Sequence, residues 1–566
     1  MIKKTKTRFG WLAVLVLLIV VNFIAAAVHF RLDLTSEKRF TLSRPSHTLL
    51  ENLDEPVNIT VFLTGEMPAG FKRLSGSVGE LLEEFKEIAG GNITYNFQRP
   101  GEGMDEEGRN AFLDSISAMG IRPYNIQAQT KEGSGNEQRL LFPGALVTYQ
   151  DRQLGIDLLA GQSSMLDETS INRTEALLEY KFASTIHKLT QDTVPLVGYL
   201  IGNGQPLSPV VDDLIDKTLR PNYPFRIFPL NDFPNIPDIF RAMLVVKPTA
   251  PFTEQQKLKL DQYVMHGGRV IWLIDNVYAE YDSLLRSQNE FIAFDRNLNL
   301  NDILFRYGVR INTDLVQDLN ADRVPSVVGT SGGKPQVDLL MWPYFPLLTN
   351  VSGHPVAKNL DYVLSLFPSS IDTVQAAGIR KTVLLNTSNQ SRIIPSPAKV
   401  SWNSIQTEED FRSFNRSNIP VAVLLEGRFS SVFANRISNQ AKDTLAGNGQ
   451  PFQPSGDENK MIVVSDGDLV LNPVSQTEGP LAMGMNMYTK FQYANKEFLL
   501  NCIEYLTDNS GILEARSKDY SLRLFDKAKL EEQRSLWQAI NILLPISLVI
   551  LFGLIFQLAR RRRFKV

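Results

Sequence analysis

The sequence predicts an α/β protein in which two membrane-anchoring helices at the termini flank an extracytoplasmic region. Uncharged apolar runs at 9–30 and 535–559 indicate the two anchors, because each is long enough to cross about 30 Å of hydrocarbon as a helix. Between them, short β-branched or apolar runs alternate with segments of helical periodicity. This alternation is typical of α/β domains, and the length allows more than one of them.

Basic residues lie on the outer side of both apolar runs. The tail 1–8 carries four of them and the tail 560–566 carries five. Since Lys and Arg beside a span favour the cytoplasmic side, we expect a two-pass protein of a bacterial inner membrane, with both termini in the cytoplasm and the bulk in the periplasm. A cleaved signal peptide is the alternative for the first run, because Ala25-Ala26-Ala27 offers small residues for cleavage.

Composition narrows the function classes. The formal net charge is −3 although both tails are basic, so the region between them is acidic, which argues against nucleic acid as a partner. Cys502 is the only cysteine, which excludes an intrachain disulfide, a cysteine metal site and a C-x-x-C redox pair. The chain also lacks a phosphate loop, a nucleophile elbow and an H-E-x-x-H motif. We therefore expect no catalytic residue, metal or cofactor, and expect another subunit to hydrolyse ATP.

An N-terminal domain is predicted over 31–192. Ser43 is placed to cap a short helix that has Pro45 in its first turn, and Asn172 and Glu175 have capping-box spacing before the last helix. The order β-α-β-α-β-β-α is that of thioredoxin, so a thioredoxin-like or similar α/β domain is expected, in architecture only because C-x-x-C is absent. The elements after the short helix are expected at 56–63, 73–88, 92–97, 106–119, 124–129, 142–149, 153–159 and 173–189.

A larger α/β domain with a mostly parallel sheet is predicted over 193–520. Thr253 and Gln256 form a predicted capping box for a helix between two of its strands. The section 315–455 is rich in Gly, Pro, Ser and Asn, which predicts long loops with short strand-like pieces such as 421–425, and 521–534 is expected to be a juxtamembrane segment. Continuous apolar runs, the pattern of parallel strands covered on both faces, lie at 194–201, 242–246, 269–274 and 461–464, and a late helix is expected at 497–506.

Polar residues at the ends of these buried strands are candidate ligand-binding residues. Asn203 and Gln205 lie in the loop after the first strand, Asp275 follows the third, and Asp466 and Asp468 follow the last. Because ligands of α/β folds bind at the carboxyl ends of the strands, these side chains are expected to line one crevice. The structural alternative is that glycines form a tight turn around Asn203, and that Asp ends strands through hydrogen bonds to the backbone.

The second apolar run contains two candidate docking residues for a membrane partner. Asn541 and Gln557 are polar groups within this run. Lipid cannot satisfy such groups, whereas a neighbouring helix can.

Three stretches, together with the two terminal spans, resemble one family. They are DLTSEKRFTLS at 33–43, GYLIGNGQ at 198–205 and LDQYVMHGG at 260–268. In their order they resemble the GldG family, a gliding-associated accessory component of an ABC transporter. That family often has G-H-G-E where this chain has Gly202-Asn203-Gly204-Gln205, so Asn203 and Gln205 replace the family's His and Glu.

The resemblance implies a periplasm-facing subunit that works with a polytopic permease and a cytoplasmic ATPase, in gliding motility and the secretion linked to it. The family's middle domain is similar to a domain of an intraflagellar-transport subunit, which implies binding rather than catalysis. A solute receptor with a polar pocket near Asn203, Asp275 and Asp466 is the alternative. A membrane-bound hydrolase of amidotransferase-like fold is disfavoured, because no nucleophile stands in a recognisable elbow.

Overall fold

The structure is a computed structural model that describes residues 15–20, 41–129, 136–159, 168–191, 193–286, 290–331, 333–402, 405, 407–517 and 527–564. The chain divides into two units, one reaching Asp519 and the other beginning at Tyr520, and each is described by itself. Of the predicted first span, the structure describes 15–20 as exposed helix, and the rest of 9–30 lies outside the described residues.

The first part of the larger unit alternates helices and strands. Its sheet has the order β2-β1-β5-β6, in which β1 is parallel to β2 and antiparallel to β5, and β5 is antiparallel to β6; β3 and β4 form a separate antiparallel hairpin. The thioredoxin-like classification stays a prediction. The elements are α1 (Arg44–Glu51), β1 (Val57–Val61), α2 (Ala69–Ile88), β2 (Ile93–Phe97), α3 (Glu106–Ala118), β3 (Tyr124–Gln129), β4 (Asn136–Leu141), β5 (Gly144–Tyr149), β6 (Arg152–Asp157) and α4 (Glu168–Thr190).

Local sequence signals explain α1 and α2. The Ser43 side chain accepts the backbone N–H of Ser46 and Pro45 lies in the first turn, so the predicted cap of α1 is confirmed. Helix α2 buries one stripe at helical spacing against the sheet, which is the face that periodicity predicts. That stripe consists of Phe71, Leu74, Val78, Leu82 and Phe85.

The predicted cap of α4 is wrong. The helix begins at Glu168, so Asn172 and Glu175 lie inside it. They bind α2 instead, because Arg73 donates from Nη2 to Asn172 Oδ1 at 2.5 Å and from Nε to Glu175 Oε1 at 2.9 Å. Capping-box spacing also occurs inside helices, and here a partner on another helix uses the same side chains.

The rest of the larger unit is built around a second, larger sheet. Its strands and those of the attached segments are β7 (Leu196–Ile201), β8 (Phe225–Pro229), β9 (Phe240–Val246), β10 (Arg269–Leu273), β11 (Val277–Tyr278), β12 (Glu290–Asp295), β13 (Val309–Ile311), β14 (Asp314–Asp318), β15 (Ala321–Ser331), β16 (Lys334–Leu348), β17 (Val363–Leu364), β18 (Ile371–Thr373), β19 (Ile379–Asn386), β20 (Ser391–Pro395), β21 (Ala398–Ser401), β22 (Pro420–Ser430), β23 (Ser455–Val464), β24 (Val474–Ser475) and β25 (Gly479–Pro480).

Helices and single turns connect these strands. They are a π-helix (Asp213–Leu219), α5 (Arg220–Asn222), α6 (Glu254–Met265), α7 (Tyr281–Arg286), α8 (Asn301–Tyr307), α9 (Glu408–Arg412), α10 (Asn439–Gly447), a 3₁₀ turn (Asp468–Val470), α11 (Asn495–Thr507) and a second 3₁₀ turn (Ile512–Ser517).

The larger sheet has seven strands in the order β19-β22-β23-β10-β9-β7-β8. The strands from β23 to β8 are mutually parallel, whereas β22 is antiparallel to β23 and β19 is antiparallel to β22. One face packs Val245 and Trp272 against α6, and the other packs Leu244 and Ile271 against α11. Because helices cover both faces, the polar groups of the central strands collect at the two ends of the strands.

The prediction of long loops over 315–455 is wrong for much of that section. Strands β15 to β23 occupy much of it, and β15 and β16 form a long hairpin that ends in a glycine turn. Part of this hairpin is exposed on both strands, as at Val327 and Val337. The alternation that predicts strands depends on one buried face, and that signal is weak where residues of both strands meet solvent.

The smaller unit contains α12 (Lys527–Phe564), which continues through Pro545. Its segment Gln533–Arg562 has 30 residues, and the most apolar 18-residue stretch within it has a mean hydropathy of 2.6 and is not buried. By length and composition this helix can cross a membrane. The predicted span 535–559 lies inside it, and the described part of the predicted juxtamembrane segment belongs to the same helix.

Candidate functional site

The carboxyl ends of three neighbouring parallel strands carry charged side chains. β9 ends at Val246 and is followed by Lys247, Asp275 comes two residues after β10, and Asp466 comes two residues after β23. Because β9 pairs with β10 and β10 pairs with β23, these ends meet at one edge of the sheet. We call this the carboxyl edge.

The three predicted aspartates come together at the carboxyl edge. Carboxylate oxygens of Asp275, Asp466 and Asp468 all lie within 4.8 Å of one another. Asp275 and Asp466 are buried. Three carboxylate oxygens at this spacing can offer ligands to a hard divalent cation, so their other contacts decide what the cluster does.

Asp466 is held by hydrogen bonds on both oxygens. Its Oδ2 accepts the hydroxyl of Ser365 and the N–H of Leu366 at 2.8 Å. Its Oδ1 accepts the N–H of Asp468 at 2.7 Å and that of Leu469 at 3.2 Å. Asp466 therefore shapes the 3₁₀ turn after β23, as the structural alternative for a strand-ending Asp requires.

Asp275 ties two strand ends together. Its Oδ1 accepts the backbone N–H of Gly467. A Cβ at Gly467 would lie 2.7 Å from Lys247 Cβ, so this close approach requires glycine. The other oxygen, Oδ2, lies 3.3 Å from Lys247 Nζ.

Lys247 supplies a cation in the middle of the cluster. Besides Asp275, its Nζ pairs with Asp468 and lies 2.9 Å from Glu280 Oε2. Arg296 pairs with the other oxygen of Glu280 and lies over the ring of Tyr278, 5.0 Å from its centroid. The side chains of Lys247 and Arg296 are 8% and 6% exposed, so two largely enclosed cations face the carboxylates.

The protonation of the cluster follows from burial and crowding. Burial raises the pKa of Asp466 well above its usual range, and the Asp275 and Asp468 carboxylates raise it further. Burial also raises the pKa of Asp468, to about 7, although Lys247 opposes this shift. Burial alone would lower the pKa of Lys247, but the surrounding carboxylates raise it well above its ordinary value. The lysine therefore stays charged while the carboxyl groups share protons.

Chemically, the cluster is closed around its own lysine. The ammonium of Lys247 lies among Asp275, Asp468 and Glu280, where a divalent cation would have to be coordinated. Binding a metal there requires that Lys247 leave, which would cost its buried ion pairs.

Asn203 and Gln205 form a separate network on the first loop. Asn203 N–H donates to Gln205 Oε1 at 2.7 Å, and Asn203 Nδ2 donates to Gln256 Oε1 at 3.0 Å. The Gln256 side chain also completes the predicted capping box with Thr253, which is confirmed. The hydrogen bonds of Asn203 and Gln205 are made within this loop and with the segment 249–256 that leads into α6. The five predicted residues therefore form two groups.

Glycines around Asn203 serve a tight turn. Gly204 has φ +75°, and a Cβ there would lie 2.0 Å from Thr249 Oγ1. Its carbonyl accepts the Thr249 hydroxyl at 3.1 Å, and the Asn203 carbonyl accepts the N–H of Thr249 at 2.9 Å. Asn203 Oδ1 and Gln205 Nε2 are buried without a hydrogen-bond partner among the described residues.

Three charged residues of the cluster, Lys247, Glu280 and Arg296, were not predicted from the sequence. Lys247 had a signal, because it directly follows a buried strand, as charged ligand residues in α/β folds do. Glu280 and Arg296 had none, since they lie in the segment after β10 and reach the cluster only through tertiary folding.

A cavity of about 320 Å³ lies beside the carboxyl edge. Glu280 and Asp468 contribute acidic groups to its wall, and Tyr281, Phe345 and Met487 contribute apolar ones. This combination of an apolar wall with a few polar groups is typical of small-ligand sites.

The docking residues of the predicted second span lie on α12. Asn541 and Gln557 are exposed on that helix. They are 16 positions apart, which places them roughly 160° apart around a helix of about 3.6 residues per turn. They therefore face different neighbours.

Comparisons with known proteins place the chain among transport systems. The sequence model of a family described as "ABC-type uncharacterized transport system" matches residues 195–502. A second, described as "Domain of unknown function (DUF7088)", matches residues 36–148. The first match includes all seven strands of the larger sheet and the carboxyl edge.

Two individual proteins are also similar. A relative from Borreliella burgdorferi, titled "Uncharacterized protein", is 19% identical over 438 residues, which cover 75% of this chain and 78% of the relative. The solved structure titled "mmIFT52 N-terminal domain" is 13% identical, with a TM-score of 0.29, and the match covers 56% of this chain and 98% of that one.

Proposed function

We propose that this chain acts by binding protein partners, without catalysis of its own. It belongs to the family described as "ABC-type uncharacterized transport system" and is thus an accessory protein of such a system. The partners are a polytopic permease subunit and a cytoplasmic ATPase subunit. The family match over 195–502 is the observation that carries this proposal.

The geometry of the carboxyl edge supports binding without catalysis. The candidate catalytic groups there are engaged, because Asp466 accepts four hydrogen bonds and Lys247 pairs with three carboxylates. Catalytic groups in α/β folds need a face open to substrate. These contacts favour a structural role for the cluster.

The finer identity rests on the resemblance to the GldG family. The stretches at 33–43, 198–205 and 260–268 support a role in gliding motility and the secretion linked to it. The basic tails support a two-pass inner-membrane topology with the bulk in the periplasm. The strand order β6-β5-β1-β2 supports a thioredoxin-like architecture for the N-terminal part.

Co-purification of the full chain from native membranes tests this proposal. A permease and an ATPase should be recovered in amounts comparable to the chain, and the chain alone should not hydrolyse ATP. Recovery of the chain without either subunit, in detergents that keep other transporters intact, would contradict the accessory role.

The membrane helix gives a sharper version of the same test. Asn541→Leu and Gln557→Leu should be made separately, because the two side chains face different directions. We expect at least one to reduce the recovered permease several-fold, since lipid cannot satisfy the amide that a neighbouring helix binds. Ser535→Leu at the predicted edge of the span is the matched control and should leave recovery unchanged.

A solute receptor is the second candidate, and the cavity of about 320 Å³ beside Glu280 and Asp468 favours it. The full chain in detergent can be screened by thermal shift against metals, sugars, peptides and nucleotides. A saturable shift that disappears in Asp468→Asn supports a receptor. Absence of any shift across these classes supports the proposal of protein binding.

A further inference from the structure

The amino ends of the same parallel strands carry cations. Arg269 is the first residue of β10, and Lys460 lies beside it on β23, because Val270 is paired with Met461. Arg241 lies on the other neighbouring strand, β9, where the next residue, Ala242, is paired with Arg269. We call this the amino edge. The three side chains place three positive charges at adjacent strand ends.

Arg269 is buried with most of its donors unused. The residue is 8% exposed, and its Nη2 donates to Asn509 Oδ1 at 3.3 Å. Its Nε and Nη1 are buried without a hydrogen-bond partner, and among the described residues no carboxylate pairs with it. Burying a charge is costly unless it is paired. Burial, reinforced by the nearby charge of Arg241, accordingly lowers the pKa of Arg269 to about 10.

Lys460 also lacks a carboxylate partner in the described part of the chain. Its Nζ lies over the ring of Tyr505, 4.0 Å from the centroid. Burial lowers its pKa, the carboxylate of its cross-strand neighbour Glu426 opposes this shift, and the charge of Arg269 adds to it.

The two nearest acidic groups are committed to other partners. Glu426 binds Arg380 at 2.6 Å and the Tyr505 hydroxyl at 2.6 Å. Asp508 Oδ1 lies 3.3 Å from His187 Nε2. Among the described residues of the amino edge, Arg269 therefore keeps a charge without a carboxylate partner, whereas Glu426 partly offsets the charge of Lys460.

A groove of about 970 Å³ leads to this region. Arg241, Thr507 and Asp508 line it, and Asp508 precedes Asn509, the residue that Arg269 contacts. Tyr223 also lines the groove, and its hydroxyl is a second buried polar group without a partner. The unsatisfied donor that lines the groove is therefore the Tyr223 hydroxyl. Arg269 and Lys460 do not line it, and the groove reaches the amino edge through Arg241 and Asp508. Its wall also carries Glu504, which pairs with Lys188 at 3.2 Å.

We propose that the amino edge binds a small oxyanion of the phosphate class. Arg269 is the principal donor, because its free Nε and Nη1 can bind oxygens of the anion. Lys460 and Arg241 contribute charge, and the Tyr223 hydroxyl can donate from the groove. The ligand chemistry is an oxygen-rich anion, either free in the periplasm or carried as the phosphate group of a larger molecule.

Thermal unfolding of the full chain in detergent tests the site. Inorganic phosphate should raise Tm saturably, by a few degrees at about 100-fold above Kd, while sodium chloride at the same ionic strength should not. Sulfate should act like phosphate, and acetate should act less, because it carries a single charge. Glycerol phosphate in a parallel titration distinguishes a phosphate group on a larger molecule from the free anion, since tighter binding of the ester favours the former.

Variants separate the proposed site from general ionic effects. Arg269→Met should abolish the phosphate shift while leaving the protein at least as stable without phosphate, because it removes an unpaired buried charge. Lys460→Met should weaken phosphate binding several-fold. Arg412→Met is the matched control, since the Arg412 side chain is 77% exposed, and should keep the full shift.

Two results would overturn the proposal. The first is a wild-type Tm that phosphate and chloride change equally, which would mean that water satisfies Arg269. The second is an Arg269→Met protein that keeps the full phosphate shift. Because the wild-type titration stands by itself, the test does not depend on any variant folding, and because it needs no partner subunit, it is independent of the proposed transport role.

Discussion

At the carboxyl edge of the seven-stranded sheet Lys247 is buried among carboxylates, whereas at the amino edge of the same sheet Arg269 is buried without any. The sheet is the same and the burial is similar, at 7% exposure for Lys247 and 8% for Arg269. The difference lies in the partners. Three carboxylates hold Lys247, whereas one neutral amide contacts Arg269.

The partners of a buried charge decide whether it is free to bind a ligand. A charged group that its own chain satisfies needs no ligand, even at the strand ends where α/β folds place ligands. A buried group with unused donors still lacks a partner. The aspartates of the carboxyl edge stand out in the sequence, yet the amino edge is the better candidate for binding a small ligand.

The largest expected effect comes from removing the lysine. Lys247→Met leaves the buried Asp275 and the partly buried Asp468 without their cation, while Glu280 keeps Arg296, so we expect the free energy of unfolding to fall by about 3–5 kcal/mol. Urea unfolding of the full chain, followed by tryptophan fluorescence, measures this loss. Arg269→Met is the matched variant at the other edge and should cost nothing or stabilise. Equal losses of stability in the two variants would contradict the conclusion that Lys247 is paired and Arg269 is not.

Two variants at Asp275 separate the effect of its charge from the effect of its hydrogen bond. Asp275→Ala removes the acceptor of the Gly467 N–H and one partner of Lys247, and should cost about 1–3 kcal/mol in free energy of unfolding. Asp275→Asn keeps an acceptor for Gly467 and should cost less. The same urea experiment, with and without millimolar calcium, distinguishes the roles. A calcium-dependent gain in stability that only the wild type shows would mean that the carboxyl edge binds metal after all.

Gly204 tests whether the first loop of the carboxyl edge is a fixed turn. Gly204→Ala should cost about 2 kcal/mol, because alanine is strained at φ +75° and its Cβ would meet Thr249 Oγ1. Gly333→Ala is the control, since Gly333 has φ +78° with nothing within 4 Å of the added Cβ, and should cost about 1 kcal/mol. Similar losses for the two variants would indicate that the loop around Asn203 adapts.

The last expected effect is on the pH dependence of stability. Burial raises the pKa of Asp468 to about 7 in the folded chain, against about 3.9 when unfolded. Between these values the folded chain holds a proton that the unfolded chain lacks. The contribution of this group is therefore fully present below about pH 4 and is lost as pH rises toward 7.

Asp468→Asn should remove that contribution and flatten the fall in stability between about pH 4 and pH 7. Unfolding midpoints at a series of pH values measure the slope. The exposed Asp443→Asn serves as control and should keep the wild-type slope. An unchanged slope in Asp468→Asn would show that Asp468 itself carries no extra proton in the folded chain.

Some features were already determined by the sequence. The capping box of Thr253 and Gln256 and the Ser43 cap were predictable, because a cap depends on side chains within three residues of each other. The parallel strands were predictable from continuous apolar runs. The meeting of Asp275, Asp466 and Asp468 followed from the rule that parallel strands end at one edge.

Other features were decided only by the tertiary structure. Lys247 and Asp468 are 221 positions apart, and no local pattern shows that the lysine will fill the space between the aspartates. Asn172 and Glu175 likewise accept hydrogen bonds from Arg73 and do not form the cap that their spacing predicts. The isolation of Arg269 is also invisible in sequence. Local signals fix helices, strands and their ends, whereas the partner of a buried charge depends on which distant segments the fold brings within a few ångströms.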